Sequence, residues 1–333
     1  MMNADQELEN IFQNKCLSRL PTVCDVESKC KLAAVRQNVC YIVAAVVFNE
    51  HGELLLIQEA KHTCYGRWYL PAGRVEVGES LIAAVKREVL EEAGFIFEPT
   101  GLICIEENGG QWIRFTFTGN IVSGSLKTFE NEDSESIQAG WFSTTESVSL
   151  RCEDILSLIE RTKVRISAFK TNSTSRLLPL VHSQSLLYVR AVTVMITEKG
   201  LHVLAVKQRR KNCEATTVVI RLPIACFKPS DESIYEPVTR IFEKLFPAGD
   251  ETGFPWSMEL LGVLSMEHSG LHGDGVSFNL AVHLKTESGE LPPVDEAVAE
   301  WLLFKPESND FKHLQLEYMM SHTVPIISLG RVR

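Results

Sequence analysis

Glu79, Arg87, Glu88, Glu91 and Glu92 all fall within LPAGRVEVGESLIAAVKREVLEEAG, residues 70–94, at spacings that could hold a divalent cation. At 100° per residue, Leu81, Val85, Glu88 and Glu92 share one narrow stripe of a helix, with Glu91 on its flank beside Glu88. Most charge runs are solvated faces laced with i, i+4 pairs. Here the phase argues otherwise, because Glu88 and Glu92 continue the apolar line of Leu81 and Val85. Carboxylates near a core are costly unless a cation or hydrogen bonds compensate them. A hard ion such as Mg²⁺, which takes a few carboxylates plus water and phosphate oxygens, is the simplest compensation. Gly73 and Gly78 allow a tight loop and close backbone approach, so the Gly73 carbonyl could complete the shell. Arg87 could pair with Glu79 and hold the loop on the helix, as a support and not a catalyst.

The elements around this helix must position it. Ser80 is a suitable N-cap, and Gly94 falls where a C′ glycine stops a helix. Upstream, NVCYIVAAVVF reads as a buried strand and ELLLIQE as a second one after the His51-Gly52 turn. Downstream, WIRFTFTG alternates as a half-buried strand should, and EDILSLIERTKV reads as a closing helix.

The plan then repeats. AVTVMITEKGLHVLAVKQ matches strand-turn-strand, RLPIACFKPSDESIYEPVTRIFEKLF matches the Leu-Pro loop and helix, and ELLGVLSMEHSG, GVSFNLAVHL and EAVAEWLLF follow in the same order. Two copies indicate a tandem duplication and not a solenoid. Aligning Glu232, Ser233 and Ile234 with Glu79, Ser80 and Leu81 places Ile234, Val238, Ile241 and Leu245 on the equivalent stripe, with Lys244 in place of Glu91. The second helix is therefore expected to bind no metal. We expect a poorly ordered tail over 1–38, apart from a short helix bearing Leu8, Ile11 and Phe12. A catalytic domain should span 39–170, a linker 171–187 and a degenerate copy 188–333.

Composition bounds the function. The 333 residues are 45% hydrophobic with a net charge of −10, which argues against a general nucleic-acid binder and asks any anionic ligand for a local source of positive charge. The nine cysteines are scattered without C-x-x-C pairs, so neither a disulfide framework nor a zinc site is indicated. With no basic, apolar leader and no apolar run long enough to span a bilayer, a cytosolic protein, also nuclear in some settings, is expected.

The residues Gly73, Glu79, Arg87-Glu88-Val89, Glu91-Glu92 and Gly94-Phe95 resemble a complete Nudix box, G-x5-E-x7-R-E-U-x-E-E-x-G-U, where U is apolar. The resemblance implies an α/β/α sandwich with a mixed sheet, followed by a second Nudix-like domain that lacks the box. It implies Mg²⁺ as cofactor, with Mn²⁺ a possible substitute, and hydrolysis of a nucleoside diphosphate linked to a further group. Carried over by position, Glu88 and Glu92 with the Gly73 carbonyl are metal ligands. Glu91 serves as ligand or base, and Glu79 and Arg87 are the supporting pair. NVCYIV, LLIQEAK, WYLPAGR and ES-I-Q-A-W are similar to the two-part branch of the family that acts on oxidised purine nucleotides. That implies conversion of 8-oxo-dGDP, 8-oxo-GDP and relatives to monophosphates. ADP-ribose or dinucleotide hydrolysis, or a module that only binds nucleotides or partners, are the alternatives.

Relatives often draw one more ligand from a loop after the alternating strand. TFENEDSESIQAGWF offers Glu130, Glu132, Asp133 and Glu135, of which Glu135 is favoured, and an ordinary solvated acidic loop accounts for them equally. For the base pocket, Leu55, Gln58, Trp68 and Gln138 are candidates, each with a core role as the competing reading. The expected partner is thus a small nucleotide, not a polymer or a membrane.

Overall fold

A computed structural model describes residues 2–17, 31–171, 173–174, 176–211, 216–228, 232–246, 256–271, 273–307 and 311–329. The chain divides into two compact units, Ala34–Pro179 with Ile326–Arg333, and Met1–Ala33 with Leu180–Pro325.

The expected tail is corrected first. Helix α1 (Ala4–Phe12) is closed by a capping box between Asn3 and Gln6, and Leu8 and Ile11 are fully buried with Leu17 in the core of the second unit. The short helix expected at Leu8, Ile11 and Phe12 is there, but it is not part of a loose tail: barely two turns long, it is held by packing onto residues far along the chain. Residues 18–30 of that tail lie outside the described residues.

The first unit contains β1 (Tyr41–Ala45), β2 (Leu54–Glu59), β3 (Trp68–Tyr69), β4 (Ala72–Arg74), α2 (Leu81–Ala93), β5 (Phe95–Glu107), β6 (Ile113–Gly124), β7 (Ser136–Phe142) and α3 (Asp154–Lys170). β1 pairs parallel to β6 and antiparallel to β4, β6 pairs antiparallel to β5, and β3-β2-β7 form a separate antiparallel sheet. The sheet is mixed, as expected, but the strands divide between two sheets. Leu54 and Leu56 pack with Ile155, Leu158 and Ile159 of α3, so period-two alternation turns Leu55 and Ile57 to the other face. α2 packs on β1, β2, β4, β5 and β7.

The second unit contains β8 (Leu187–Thr197), β9 (Gly200–Lys211), β10 (Thr216–Arg221), β11 (Ile224–Phe227), α4 (Tyr235–Leu245), β12 (Trp256–Glu267), β13 (Ser277–Thr286), β14 (Ala299–Phe304) and the short helices α5 (Phe311–Leu314) and α6 (Leu316–His322). Its strand pairings repeat those of the first unit: β8 with β11 and β13, β9 with β10 and β14, and β12 with β13. The parallel pair recurs too, β8 with β13 standing for β1 with β6. Val43 faces Gly73 in one copy and Val189 faces Ala225 in the other. Leu8 and Ile11 of α1 pack on Val192, Leu201, Val203 and Leu222. α3 covers Val46, Leu54, Leu56 and Leu70, the equivalent residues, in the first unit.

Two expected boundaries also shift. The C-terminal strand β15 (Ile326–Ser328) leaves the second unit and pairs parallel to β5. Within the expected linker, Leu177 is buried and its carbonyl accepts the Leu102 N–H at 2.8 Å. Both contacts are backbone pairings, which side-chain patterns do not record. Among the described cysteines, Cys16, Cys40, Cys64, Cys104 and Cys152 are free and Cys226 is disulfide-bonded. No helix among the described residues is long and apolar enough to cross a membrane.

Candidate active site

α2 forms where the sequence places it. The Ser80 hydroxyl accepts the Ala83 N–H at 3.1 Å, and Gly94 ends the helix at φ +80°. There a Cβ would lie 2.3 Å from the Ser125 carbonyl oxygen, so glycine is required on two counts. The buried face is Leu81, Val85, Glu88 and Glu92, the predicted stripe.

Glu88 lies on β4. A Cβ on Gly73 would stand 2.1 Å from Glu88 Oε1, so the carboxylate occupies the volume a side chain would need. Glu92, 1% exposed, accepts the Ala72 N–H at 2.8 Å through Oε2. Burial, with Glu88 and Glu59 adding to it, pushes the Glu92 carboxyl up to about 8 against the Ala72 N–H and Lys61. Burial raises Glu88 as well, with Glu91 and Glu135 contributing, against the opposing charge and hydrogen bond of Arg87. Two adjacent carboxylates raised in this way form an arrangement whose charge a bound cation would compensate. The donors are hard oxygens beside a bare glycine backbone, which suits Mg²⁺ or Mn²⁺.

Arg87 organises the rest. It donates to both oxygens of Glu79, Nε at 2.8 Å and Nη2 at 2.9 Å, and to the Arg74 carbonyl at 3.2 Å. Its Nη1 reaches Glu88 at 2.8 Å and the exposed Glu91 at 3.0 Å. Burial would raise Glu79, but the Arg87 hydrogen bonds and the Glu76 N–H together hold it below the ordinary carboxylate value. The second unit keeps this pair without the carboxylate stripe: Arg240 Nη1 donates to Glu232 at 2.7 Å and its Nη2 to the Cys226 carbonyl. The α4 stripe is buried Ile234, Val238, Ile241 and Leu245. The arginine–glutamate pair thus belongs to the loop architecture of both units, and the carboxylate stripe to the first alone.

A cleft of about 820 Å³ opens here, with Gly73, Glu88, Glu91 and Glu135 on its wall. Arg36, Lys61, Arg74, Arg87, Arg114 and Arg151 also line it, the local positive charge that an anionic ligand needs in a chain of net charge −10. Glu135 is brought to the site, its Oε2 lying 3.9 Å from Lys61 Nζ. The same ammonium is 3.9 Å from Glu92 and 3.8 Å from Glu59. Asp133 instead pairs with Lys127, whose Nζ also donates to the Glu91 carbonyl at 3.0 Å.

The four base-pocket candidates are not among the cleft residues. Leu55 is fully buried opposite Trp141, and Trp68 packs edge-on to Phe142 at 4.7 Å, so both serve the core. Gln138 Nε2 donates to Gln58 Oε1 at 2.8 Å, and Gln58 Nε2 donates to the Gly66 carbonyl. Sequence reasoning missed Lys61, Glu59 and the network under the cleft. There Arg114 grips Glu106 at 2.7 and 2.9 Å, and also donates to Tyr69 and Asp154 at 2.8 Å each. An arginine inside an alternating strand was the available signal, since a buried guanidinium demands partners.

The chain is similar to several known proteins. The NUDIX domain family matches residues 40–155. The 8-oxo-dGDP phosphatase NUDT18 of Mus musculus is 38% identical over 254 residues, covering 74% of this chain and 73% of that protein. The protein of the same name from Danio rerio is 52% identical over 126 residues, 38% of this chain and 39% of that one. A solved NUDIX hydrolase from Nitrosomonas europaea is 32% identical with a TM-score of 0.34, covering 38% of this chain and 90% of its own.

Proposed function

The chain belongs to the Nudix hydrolase family, and from that premise we propose that it hydrolyses 8-oxo-dGDP to 8-oxo-dGMP and phosphate with Mg²⁺ as cofactor. The observation that carries the catalytic part is the buried Glu88–Glu92 pair set against Gly73. The substrate rests on the likeness to the 8-oxo-dGDP phosphatases.

Glu88, Glu92 and the Gly73 backbone would hold the cation, with Glu91 and Glu135 at its open side. Once bound, Mg²⁺ supplies neutralisation of phosphate oxygens and acidification of water. The protein's own groups do the rest. Lys61, Arg74 and Arg151 face the cleft and attract the diphosphate. Glu91 or Glu135, both of which line the cleft, takes a proton from the attacking water. As its oxygen bonds to phosphorus, the bond to the leaving phosphate oxygen breaks. Arg87 fixes Glu79, Glu88 and Glu91 together, so the loop and helix carry the carboxylates as one preorganised block.

Purified full-length protein with Mg²⁺, offered 8-oxo-dGDP, 8-oxo-dGTP, dGDP and ADP-ribose, should show the highest kcat/KM on 8-oxo-dGDP. Dominant turnover of ADP-ribose would overturn the substrate assignment, and full activity in Glu92→Gln would overturn the site.

A further inference from the structure

Glu267 is a buried carboxylate whose partner in the first unit is missing from the second. At the equivalent position Glu106 faces Arg114 across β5 and β6 and holds its guanidinium with two hydrogen bonds. Glu267 faces Ser277 across β12 and β13, and it is 1% exposed. Among the described residues no lysine or arginine comes within ion-pair distance of it. Its hydrogen bonds come from neutral donors, the Leu17 N–H at 2.7 Å and Gln184 Nε2 at 2.8 Å.

Two metal-ligating side chains converge on this carboxylate. His182 Nδ1 lies 3.7 Å from Glu267 Oε2, and that nitrogen is buried without a hydrogen-bond partner. Cys16, at the exposed edge, brings Sγ into the same group, all three ligand atoms lying within 4.8 Å of one another. We propose that Cys16, His182 and Glu267 form a second cation site of the borderline-soft class that Zn²⁺ fills, separate from the carboxylate cradle of the first unit.

The donor set decides the ion, since a thiolate and an imidazole with one carboxylate select Zn²⁺ over Mg²⁺. It also disfavours a free thiol nucleophile: burial, then the Glu267 charge, raises the Cys16 thiol above its usual value. Binding therefore releases the Cys16 proton to solvent as the sulfur–metal bond forms. The ion would stand directly on Glu267, which the buried Arg190 reaches only from beyond ion-pair distance, as Arg114 stands on Glu106 in the first unit. Because Cys16 follows α1, it would also clamp the N-terminal segment to the sheet that α1 covers. Three protein ligands leave one tetrahedral position for water.

The test is metal titration of the full-length, metal-stripped protein with Zn²⁺ and, as a spectroscopic substitute, Co²⁺. Wild type and Glu92→Gln should both give a thiolate-to-cobalt charge-transfer band, and Glu92→Gln, which lacks the carboxylate cradle, should bind one equivalent of Zn²⁺. Cys16→Ser and His182→Gln should lose the band and weaken Zn²⁺ binding by more than about tenfold. Cys16 is exposed, so its serine variant folds as the wild type does, which circular dichroism will verify. Absence of the band in wild type, or its persistence in Cys16→Ser, would overturn the site and leave His182–Glu267 as a plain imidazole–carboxylate pair.

Discussion

Replacing Glu92 by glutamine should stabilise the metal-free protein while abolishing turnover. Glu92 is buried, and burial beside Glu88 and Glu59 pushes its carboxyl up to about 8 from an ordinary 4.5. A carboxyl raised in the fold gives up its proton later than it would in the unfolded chain, so stability is full below pH 4.5 and falls as pH rises toward 8. At about 1.4 kcal/mol per pH unit, the loss is about 3 kcal/mol at pH 7 and under about 1 kcal/mol at pH 5. Glutamine keeps an acceptor for the Ala72 N–H and removes the titration. Urea denaturation in chelator, followed by hydrogen exchange of α2 amides so that the first unit is read by itself, should show Glu92→Gln ahead of wild type by about 3 kcal/mol at pH 7. The advantage should shrink at pH 5. Mg²⁺ should restore the wild type at pH 7 and leave the variant unmoved. An equal stability at pH 7, or a gain that does not shrink in acid, would refute the idea that an uncompensated carboxylate is held here for a cation.

Gly73→Ala inserts a Cβ into the Glu88 carboxylate and should lower kcat/KM roughly a hundredfold, with Mn²⁺ binding weakened in parallel. Its circular dichroism should stay native, since Ala225 occupies the same ladder position in the second unit. Arg87→Lys cannot span both oxygens of Glu79 and should cost about 1–3 kcal/mol by urea denaturation at pH 7. Because Glu79 is held below 4.5, that contribution is present above 4.5 and is lost as the pH falls through its folded value, so the two curves should converge in acid. Leu8→Ala empties a fully buried position in the second unit and should cost about 2–4 kcal/mol, read by hydrogen exchange in β8 and β9. An unaffected second unit would mean that α1 is only draped on its surface.

The sequence alone determined helix α2: its cap, its stop and the phase that turns Glu88 and Glu92 inward while the sister helix presents Ile241 and Leu245. These are local properties, set by a helical period and by end chemistry a few residues apart. It also exposed the duplication, because strand order and turn positions are written linearly. What only the tertiary structure decided depends on meetings between distant segments. Lys61 joins Glu92 and Glu135, Arg114 gathers Glu106, Tyr69 and Asp154, and α1 becomes the missing helical layer of the second unit. Leu55 shows the reverse limit, since a strand's two faces look alike in sequence when both are buried. Cys16, His182 and Glu267 have no spacing signature at all, because only the packing of segments far apart in the chain brings their ligand atoms together.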